Sequence, residues 1–120
     1  MKKTRMLKKN YEFKNVLSQG KYYSGKNIEA FIKKNDKEYN MLGIAIGVKV
    51  AKAVKRNFIK RIIRDNYRLL ENKIKCGYSI VFLWKKKVSI ENARFINIEK
   101  DMIDILDKAN IFEEQKWKVF

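Results

Sequence analysis

The segment from Lys52 to Leu70 constrains the fold of this chain more than any other part of it. At 100° per residue, its charged and apolar side chains separate onto two sides of a helix. Every fourth residue along one side is basic, and two more polar residues lie beside that stripe: Arg56, Lys60, Arg64 and Arg68, with Asn57 and Arg61. The other side carries the apolar residues Val54, Phe58, Ile59, Ile62, Ile63, Leu69 and Leu70. The segment therefore predicts a helix that begins near Lys52, buries one face and exposes a row of cations.

This row of cations is the strongest functional signal in the sequence. Guanidinium groups have the right shape for bidentate phosphate contacts, so the row is typical of a surface that binds nucleic acid. Two other interpretations stay open, because a charged helix face is often merely solvated and a basic amphipathic helix also binds anionic membranes. A solvated face usually alternates sign to gain pairs four residues apart. This stripe places like charges at that spacing, which favours nucleic acid.

The composition agrees with a polyanionic partner and argues against catalysis by the chain's own side chains. The 120 residues carry a net charge of +16 and contain no histidine, the commonest general acid and base at neutral pH. No glycine-rich phosphate loop is present. The carboxylates Glu99, Asp101, Asp104 and Asp107 are interspersed with lysines and predict a solvated helix face rather than a metal site. The lone Cys76 is expected to be a small core residue.

The length predicts one domain over residues 1–120, in which residues 111–120 form a C-terminal tail that contains Trp117 and Phe120. No apolar run is long enough to cross a membrane, and the lysine-rich N-terminus lacks the apolar stretch of a signal peptide. The chain is therefore expected to be cytoplasmic, without a membrane partner.

Hydrophobic periodicity predicts a single α+β domain with the order α-β-β-β-α-β-α. A first helix is expected over Tyr11–Gln19, with Asn10 as its cap and Gly20 at its end. The expected strands are Lys21–Ser24, Ile28–Lys33, Met41–Val48 and Gly77–Trp84. Ser89 is expected to cap a final helix with the apolar stripe Phe95, Ile98, Met102, Ile105, Leu106 and Ala109. Within the strand Met41–Val48, Gly43 and Gly47 mark points where another group can approach the backbone.

Phe31 shares a predicted strand face with the charged residues Glu29 and Lys33. A large apolar side chain is unexpected on such a polar face, and two interpretations account for it. One interpretation is that Phe31 packs under the first helix against Phe13 or Leu17. The other is that Phe31 and Phe13 line an open cleft in which unpaired nucleotides stack.

The run from Ala53 to Arg64, AVKRNFIKRIIR, resembles the signature of the bacterial ribonuclease P protein subunit, usually A-V-x-R-N-R-x-K-R-x-x-R. The opening segment from Leu7 to Phe13, LKKNYEF, and the order of elements are similar as well, and the resemblance covers about residues 3–110. It implies a small mixed sheet with a left-handed crossover helix, an exception to the usual handedness. It also implies a role beside a catalytic RNA that cuts precursor tRNA to make the mature 5′ end. The protein would secure that RNA in an active form and hold the 5′ leader of the precursor.

The resemblance further implies partners and site residues. The expected partners are the catalytic RNA and precursor tRNA, with a monomeric protein bound once per RNA. Mg²⁺ is expected to be held mainly by RNA, and no cofactor firmly by the protein. The residues expected to bind RNA are the signature positions Arg56, Asn57, Lys60, Arg61 and Arg64, together with Lys52 and Arg68 on the same basic face. The residues expected to bind the leader are Phe13, Leu17 and Phe31, with Lys49 at the edge of the cleft.

The sequence departs from the family pattern at three places. Phe58 replaces the second arginine of the R-N-R core, and its position beside Ile62 and Leu69 on the helical wheel predicts that it is at least partly buried. Leu17 stands where relatives often carry an aromatic residue. Residues 43–50 read GIAIGVKV where relatives usually have serines and a pair of lysines, so Lys49 would act alone.

Two alternative functions share the basic helix. A non-catalytic RNA-binding protein of the ribosomal type would need no leader cleft. A DNA-binding protein with a recognition helix is less favoured, because no second helix stands a short turn away in the sequence.

Overall fold

The computed structural model describes residues 3–113, and the tail positions Trp117 and Phe120 lie outside them. The main elements are β1 (Thr4–Met6), α1 (Asn10–Gln19), β2 (Lys21–Ser24), β3 (Ile28–Lys34), β4 (Asn40–Ala45), α2 (Ala53–Leu70), β5 (Tyr78–Trp84) and α3 (Phe95–Lys108). Two short 3₁₀ turns, Glu71–Lys73 and Ile90–Asn92, follow α2 and β5. The predicted α+β class and order are confirmed, and β1 is added at the start. No helix among the described residues is long and apolar enough to cross a membrane.

The strands form one mixed sheet in the order β1-β4-β5-β3-β2. β3 pairs antiparallel with β2 and β5, whereas β4 pairs parallel with β1 and β5. Parallel neighbours need a crossover connection, and α2 supplies it between β4 and β5. The crossover helix that the resemblance implies is therefore present, and its left-handed sense stays a prediction.

The main core lies between one face of the sheet and the helices α2 and α3. Successive strand residues point to opposite faces, so alternate residues of β3 and β5 face this core. They are Ile28, Ala30 and Ile32, and Ile80, Phe82 and Trp84. The helices cover them with Ile59, Ile62, Ile63 and Tyr67 of α2 and with Ile98, Met102, Ile105 and Leu106 of α3.

A smaller cluster lies on the opposite face of the sheet, under α1. Its buried members are Leu7, Val16, Met41 and Val81. The helix sits close because β4 has a glycine beneath it: a Cβ on Gly43 would lie 2.6 Å from a Phe13 ring carbon and 2.9 Å from Leu7. The close approach predicted at Gly43 is thus confirmed. The same prediction for Gly47 is wrong, because Gly47 is exposed and only Val50 comes near it.

The predicted solvated face of α3 is wrong at Asp101. This side chain is 5% exposed, and its carboxylate accepts hydrogen bonds from the backbone N–H groups of Asn27, at 2.6 Å, and Ile28, at 3.2 Å. Burial of a charge is tolerated where hydrogen bonds satisfy it. Asp101 therefore fastens α3 to the start of β3, whereas Asp104 forms an exposed ion pair with Lys108, as a solvated face would.

Three other expectations differ in detail. Ser89 caps the 3₁₀ turn Ile90–Asn92 through the N–H of Glu91, and α3 begins six residues later, at Phe95. The strand expected over Met41–Val48 ends at Ala45, where its parallel pairing with β5 ends. Cys76 is exposed, because it lies in the turn before β5 rather than in a strand.

Candidate nucleic-acid interface

The buried face of α2 is narrower than the apolar arc in its sequence. Ile59, Ile62 and Ile63 are buried as predicted, but Val54 is 79% exposed, Leu69 67% and Phe58 50%. The prediction that Val54 and Leu69 face the core is therefore wrong. The expectation of partial burial holds for Phe58, half of whose surface is covered.

Two polar side chains, Asn66 and Tyr67, complete the buried face of α2. Asn66 donates hydrogen bonds to the carbonyl groups of Ile62 and Phe95. The Tyr67 hydroxyl lies 2.7 Å from Oγ1 of Thr4, and burial raises the pKa of this phenol. Partners from β1, α2 and α3 thus engage the Tyr67 hydroxyl and the amide N–H groups of Asn66, whereas the buried Oδ1 of Asn66 has no hydrogen-bond partner among the described residues.

The predicted basic stripe faces solvent along most of α2. Three of its side chains are exposed: Asn57, Arg61 and Arg68. The other three are half-buried: Arg56, Lys60 and Arg64. Arg68 has a carboxylate neighbour, Asp65, at 3.9 Å, and so exposed a pair is weak. Within residues 3–113, no carboxylate lies within ion-pair distance of Arg61 or Arg64. Most of the positive charge of the stripe is therefore left without a carboxylate partner among these residues.

The start of α2 adds to this positive field. Lys52 is its N-terminal capping residue, Lys55 is exposed in the first turn, and no acidic residue lies there. Unpaired N–H groups make a helix N-terminus positive, so basic residues at this end are unfavourable for the isolated helix and an anion is favourable. The Arg56 guanidinium donates a hydrogen bond to the Ala51 carbonyl at 2.7 Å, which holds this charge beside the start of α2. The N-terminal end of α2 is therefore suited to binding a phosphate group.

The apolar side chains predicted to line a leader cleft lie beside α1, on the other face of the sheet. Phe13 and Leu17 of α1 and Phe31 of β3 are all half-buried members of the cluster around Val81. The structure thus brings together the three apolar side chains predicted for leader binding. The first interpretation of Phe31, packing under the helix, is supported, while its partly exposed ring keeps the second open.

Tyr22 extends this apolar surface, and sequence reasoning missed it. Tyr22 lies opposite Phe31 in the β2–β3 pairing, their ring centroids are 5.3 Å apart, and Tyr22 is 49% exposed. Its hydroxyl donates a hydrogen bond to the Glu29 carboxylate, which raises the pKa of Tyr22. The signal that could have found it is the hairpin itself, because the turn between Ser24 and Ile28 fixes which residues face each other.

Lys49 is not itself a member of this apolar cluster. It is exposed in the turn between β4 and α2, four residues beyond Ala45, the last residue of β4. Within the described part of the chain, no three His, Cys, Asp or Glu side chains are grouped so as to hold a metal ion. The side chains that give both surfaces their character are cations, amides and aromatic rings, which can bind phosphate groups and bases.

Comparison with known proteins places this arrangement in a family. A sequence model of the ribonuclease P family matches residues 1–110. The ribonuclease P protein component of Clostridioides difficile is 37% identical over 110 residues, which are 91% of this chain and 95% of that protein. That of Fusobacterium nucleatum is 40% identical over 107 residues, 88% of this chain and 96% of the relative.

Solved structures agree with the sequence comparison. The RNase P protein of Staphylococcus aureus superposes with a TM-score of 0.76 at 25% identity, covering 90% of this chain and 97% of that one. The Thermotoga maritima protein gives a TM-score of 0.77 at 26% identity, covering 87% and 96%. The chain therefore belongs to the ribonuclease P protein family, the protein subunits of the endoribonuclease that forms the 5′ ends of tRNA.

Proposed function

We propose that this chain binds the catalytic RNA of ribonuclease P through α2 and the 5′ leader of precursor tRNA through the cleft beside α1. The observation that carries the first part is the row of cations on α2, in which Arg68 alone has a carboxylate neighbour among residues 3–113, at a helix whose first turn holds no acid. The groups of this surface that bind RNA are Lys52, Arg56, Asn57, Lys60, Arg61, Arg64 and Arg68. A polyanion would relieve both the repulsion among them and the unfavourable charge at the helix start.

The leader site is formed by Phe13, Leu17 and Phe31, with Lys49 near its edge and Tyr22 as an additional platform. Half-buried rings on a rigid sheet can stack on unpaired bases without sequence preference, and the surrounding cations attract the backbone. Leu17 supplies apolar surface without a stacking face, so Phe31 and Phe13 carry more of this contact than in relatives with an aromatic residue there.

Catalysis in this proposal belongs to the RNA subunit. The protein binds no cofactor firmly, and Mg²⁺ is held mainly by RNA. One monomer acts per RNA, in the cytoplasm, where precursor tRNA is made.

The test is processing of precursor tRNA by the catalytic RNA of the same organism at low Mg²⁺, with and without the chain. We expect faster cleavage with it. Unchanged cleavage would favour the second candidate, an RNA-binding protein of the ribosomal type, which shares the basic helix but holds no leader.

Substitutions on α2 test the first surface separately. Arg61→Ala and Arg64→Ala should each weaken binding of the catalytic RNA. Each should also reduce the slope of log K against log salt concentration by about 0.9, the value for the loss of one phosphate contact on a duplex. Arg94→Ala is the matched control, because Arg94 is an exposed arginine at the start of α3. Equal losses for all three variants would mean that α2 is not a specific contact.

A further inference from the structure

A solvent-open cavity lies on the flank of α1 away from the proposed leader site. It has a volume of about 620 Å³ between α1 and the adjoining ends of β3, β4 and β5, within the size range of small-ligand sites. The residues that give it chemical character are Tyr11, Lys14, Asn15, Lys33, Lys37 and Ser79.

The two sites on α1 are separated by strand register. Lys33 is paired with Ser79, whereas the cleft residue Phe31 is paired with Val81, two positions further along β5. Phe13 lies over Gly43 of β4, and the opposite side of α1 reaches Lys33 of β3. The helix therefore crosses the strands and divides this face of the sheet into an apolar flank and a cationic flank.

Lys33 is the key cation of this cavity because it is fixed but not neutralised. Its ammonium donates hydrogen bonds to Oδ1 of Asn15 at 2.8 Å and to Oε1 of Gln19 at 2.9 Å. Both acceptors are uncharged, and no carboxylate among residues 3–113 lies within ion-pair distance of Lys33. Two amides thus hold the ammonium in place and leave its charge and one N–H group for a ligand.

The remaining lining makes the cavity attractive to anions. Lys14 and Lys37 add positive charge, and Glu12 is the acidic residue of the lining. The Glu12 carboxylate is already engaged, because it accepts the backbone N–H groups of Lys9, at 3.1 Å, and Lys8, at 3.4 Å, at the start of α1. At the rim, Tyr11 is 67% exposed and offers an aromatic face beside these cations.

We propose that this cavity is a second RNA-contact site, in which a backbone phosphate of an unpaired RNA strand binds Lys33 and a neighbouring base packs on Tyr11. The inference rests on the proposed function and extends it from one flank of α1 to both. A strand is favoured over a free phosphate ion because the cavity combines spaced cations with an aromatic face, the pairing that single-stranded nucleic acid needs.

The first experiment compares Lys33→Gln with Lys34→Gln in the assembled ribonucleoprotein. Each variant removes one positive charge, and Lys34 is the next residue of β3, exposed and on the opposite side of the strand. Lys33→Gln should weaken binding of the catalytic RNA or of precursor tRNA roughly three- to tenfold. The magnitude of the slope of log K against log salt concentration should fall by about 0.7, the value for one phosphate contact on a single strand. Lys34→Gln should change affinity less than about twofold. Equal effects, or none from Lys33→Gln, would overturn the proposal.

The second experiment uses the unsubstituted chain, so that its result does not depend on whether a variant folds correctly. Side-chain amide signals of Asn15 and Gln19 are followed by NMR during titration with a short single-stranded RNA and, separately, with inorganic phosphate. Saturable shifts with RNA at concentrations where phosphate gives none support the proposal. Shifts with phosphate alone would indicate a small-anion site and refute the RNA contact.

Failure of this inference differs from failure of the proposed function. If the unsubstituted chain speeds precursor cleavage while Lys33→Gln behaves like Lys34→Gln, only the second contact site is lost. If the unsubstituted chain has no effect on cleavage, the proposed function itself fails.

Discussion

The two faces of the sheet differ in how completely they are covered. On the α2 and α3 side, twenty of the described residues form one buried cluster. The α1 side buries only four of them, surrounded by half-buried aromatic and leucine side chains. Burial of apolar surface is the main stabilising term in folding. The first face therefore supplies most of the stability, and this leaves the second free to keep apolar and cationic side chains open to a ligand.

The largest expected effect would come from the covered face. Ile63→Ala should lower the free energy of unfolding by about 2–5 kcal/mol, because Ile63 is fully buried between α2 and the sheet. Urea denaturation measures the change. A loss below 1 kcal/mol would contradict the division between a stabilising face and an open one.

A glycine pair tests how tightly α1 sits on the open face. Gly43→Ala should cost roughly 1–3 kcal/mol and weaken leader binding, because the added methyl group would overlap the Phe13 ring and displace α1. Gly47→Ala is the control, since its nearest neighbour outside the adjoining residues is 3.6 Å away. Equal melting temperatures for the two variants would show that α1 moves freely over the sheet.

Phe31→Ala separates binding from stability on the open face. Affinity for precursor tRNA with a leader of several nucleotides should fall by about 1–3 kcal/mol, the range for one stacked base, while affinity for mature tRNA stays almost unchanged. The loss of stability should be smaller than for Ile63→Ala, because Phe31 is only half-buried. Equal losses of affinity for both RNAs, with a large fall in melting temperature, would assign Phe31 to the core alone.

The smallest effect is expected at Phe58, which lies on the half-exposed edge of α2, the helix that covers the first face of the sheet. A charge placed at a buried site costs roughly 1–3 kcal/mol, but at 50% exposure of Phe58 the guanidinium introduced by Phe58→Arg can reach water. The cost should therefore be below about 1 kcal/mol, and the salt slope of RNA binding should steepen as one contact is added. Thermal melting and binding at several salt concentrations test both parts, and a loss above 2 kcal/mol would place Phe58 in the core.

Local patterns predicted the elements well where a period is long and regular. The 3.6-residue period located α2 within one residue and identified Ile59, Ile62 and Ile63 as buried. It failed at Val54 and Leu69 because the width of a buried arc depends on where α3 and the sheet lie. The burial of Asn66, Tyr67 and Asp101 depends on partners distant in the sequence, which no local pattern contains. β1, with three residues, is too short to show a period.

The candidate site was predictable in its residue types and less so in its geometry. The signature run identified the cations of α2, and the aromatic residue on a polar strand face identified Phe31. Tyr22 and the cavity around Lys33 require the strand register and the position of α1, which are tertiary properties. The amide clamp on Lys33 joins α1 to β3, so neither element by itself shows it.

The pairing of β4 has a consequence for the order in which the chain folds. β2 and β3 form a local hairpin, whereas both partners of β4 are distant in the sequence: Asn40 pairs with Thr4, and Met41 with Ser79. Closing such long loops carries an entropic cost that slows folding. During synthesis, the centre of the sheet stays incomplete until β5 has left the ribosome. The basic helix α2 is therefore synthesised before the strand it packs beside, and its orientation on the sheet is fixed only when β5 has docked.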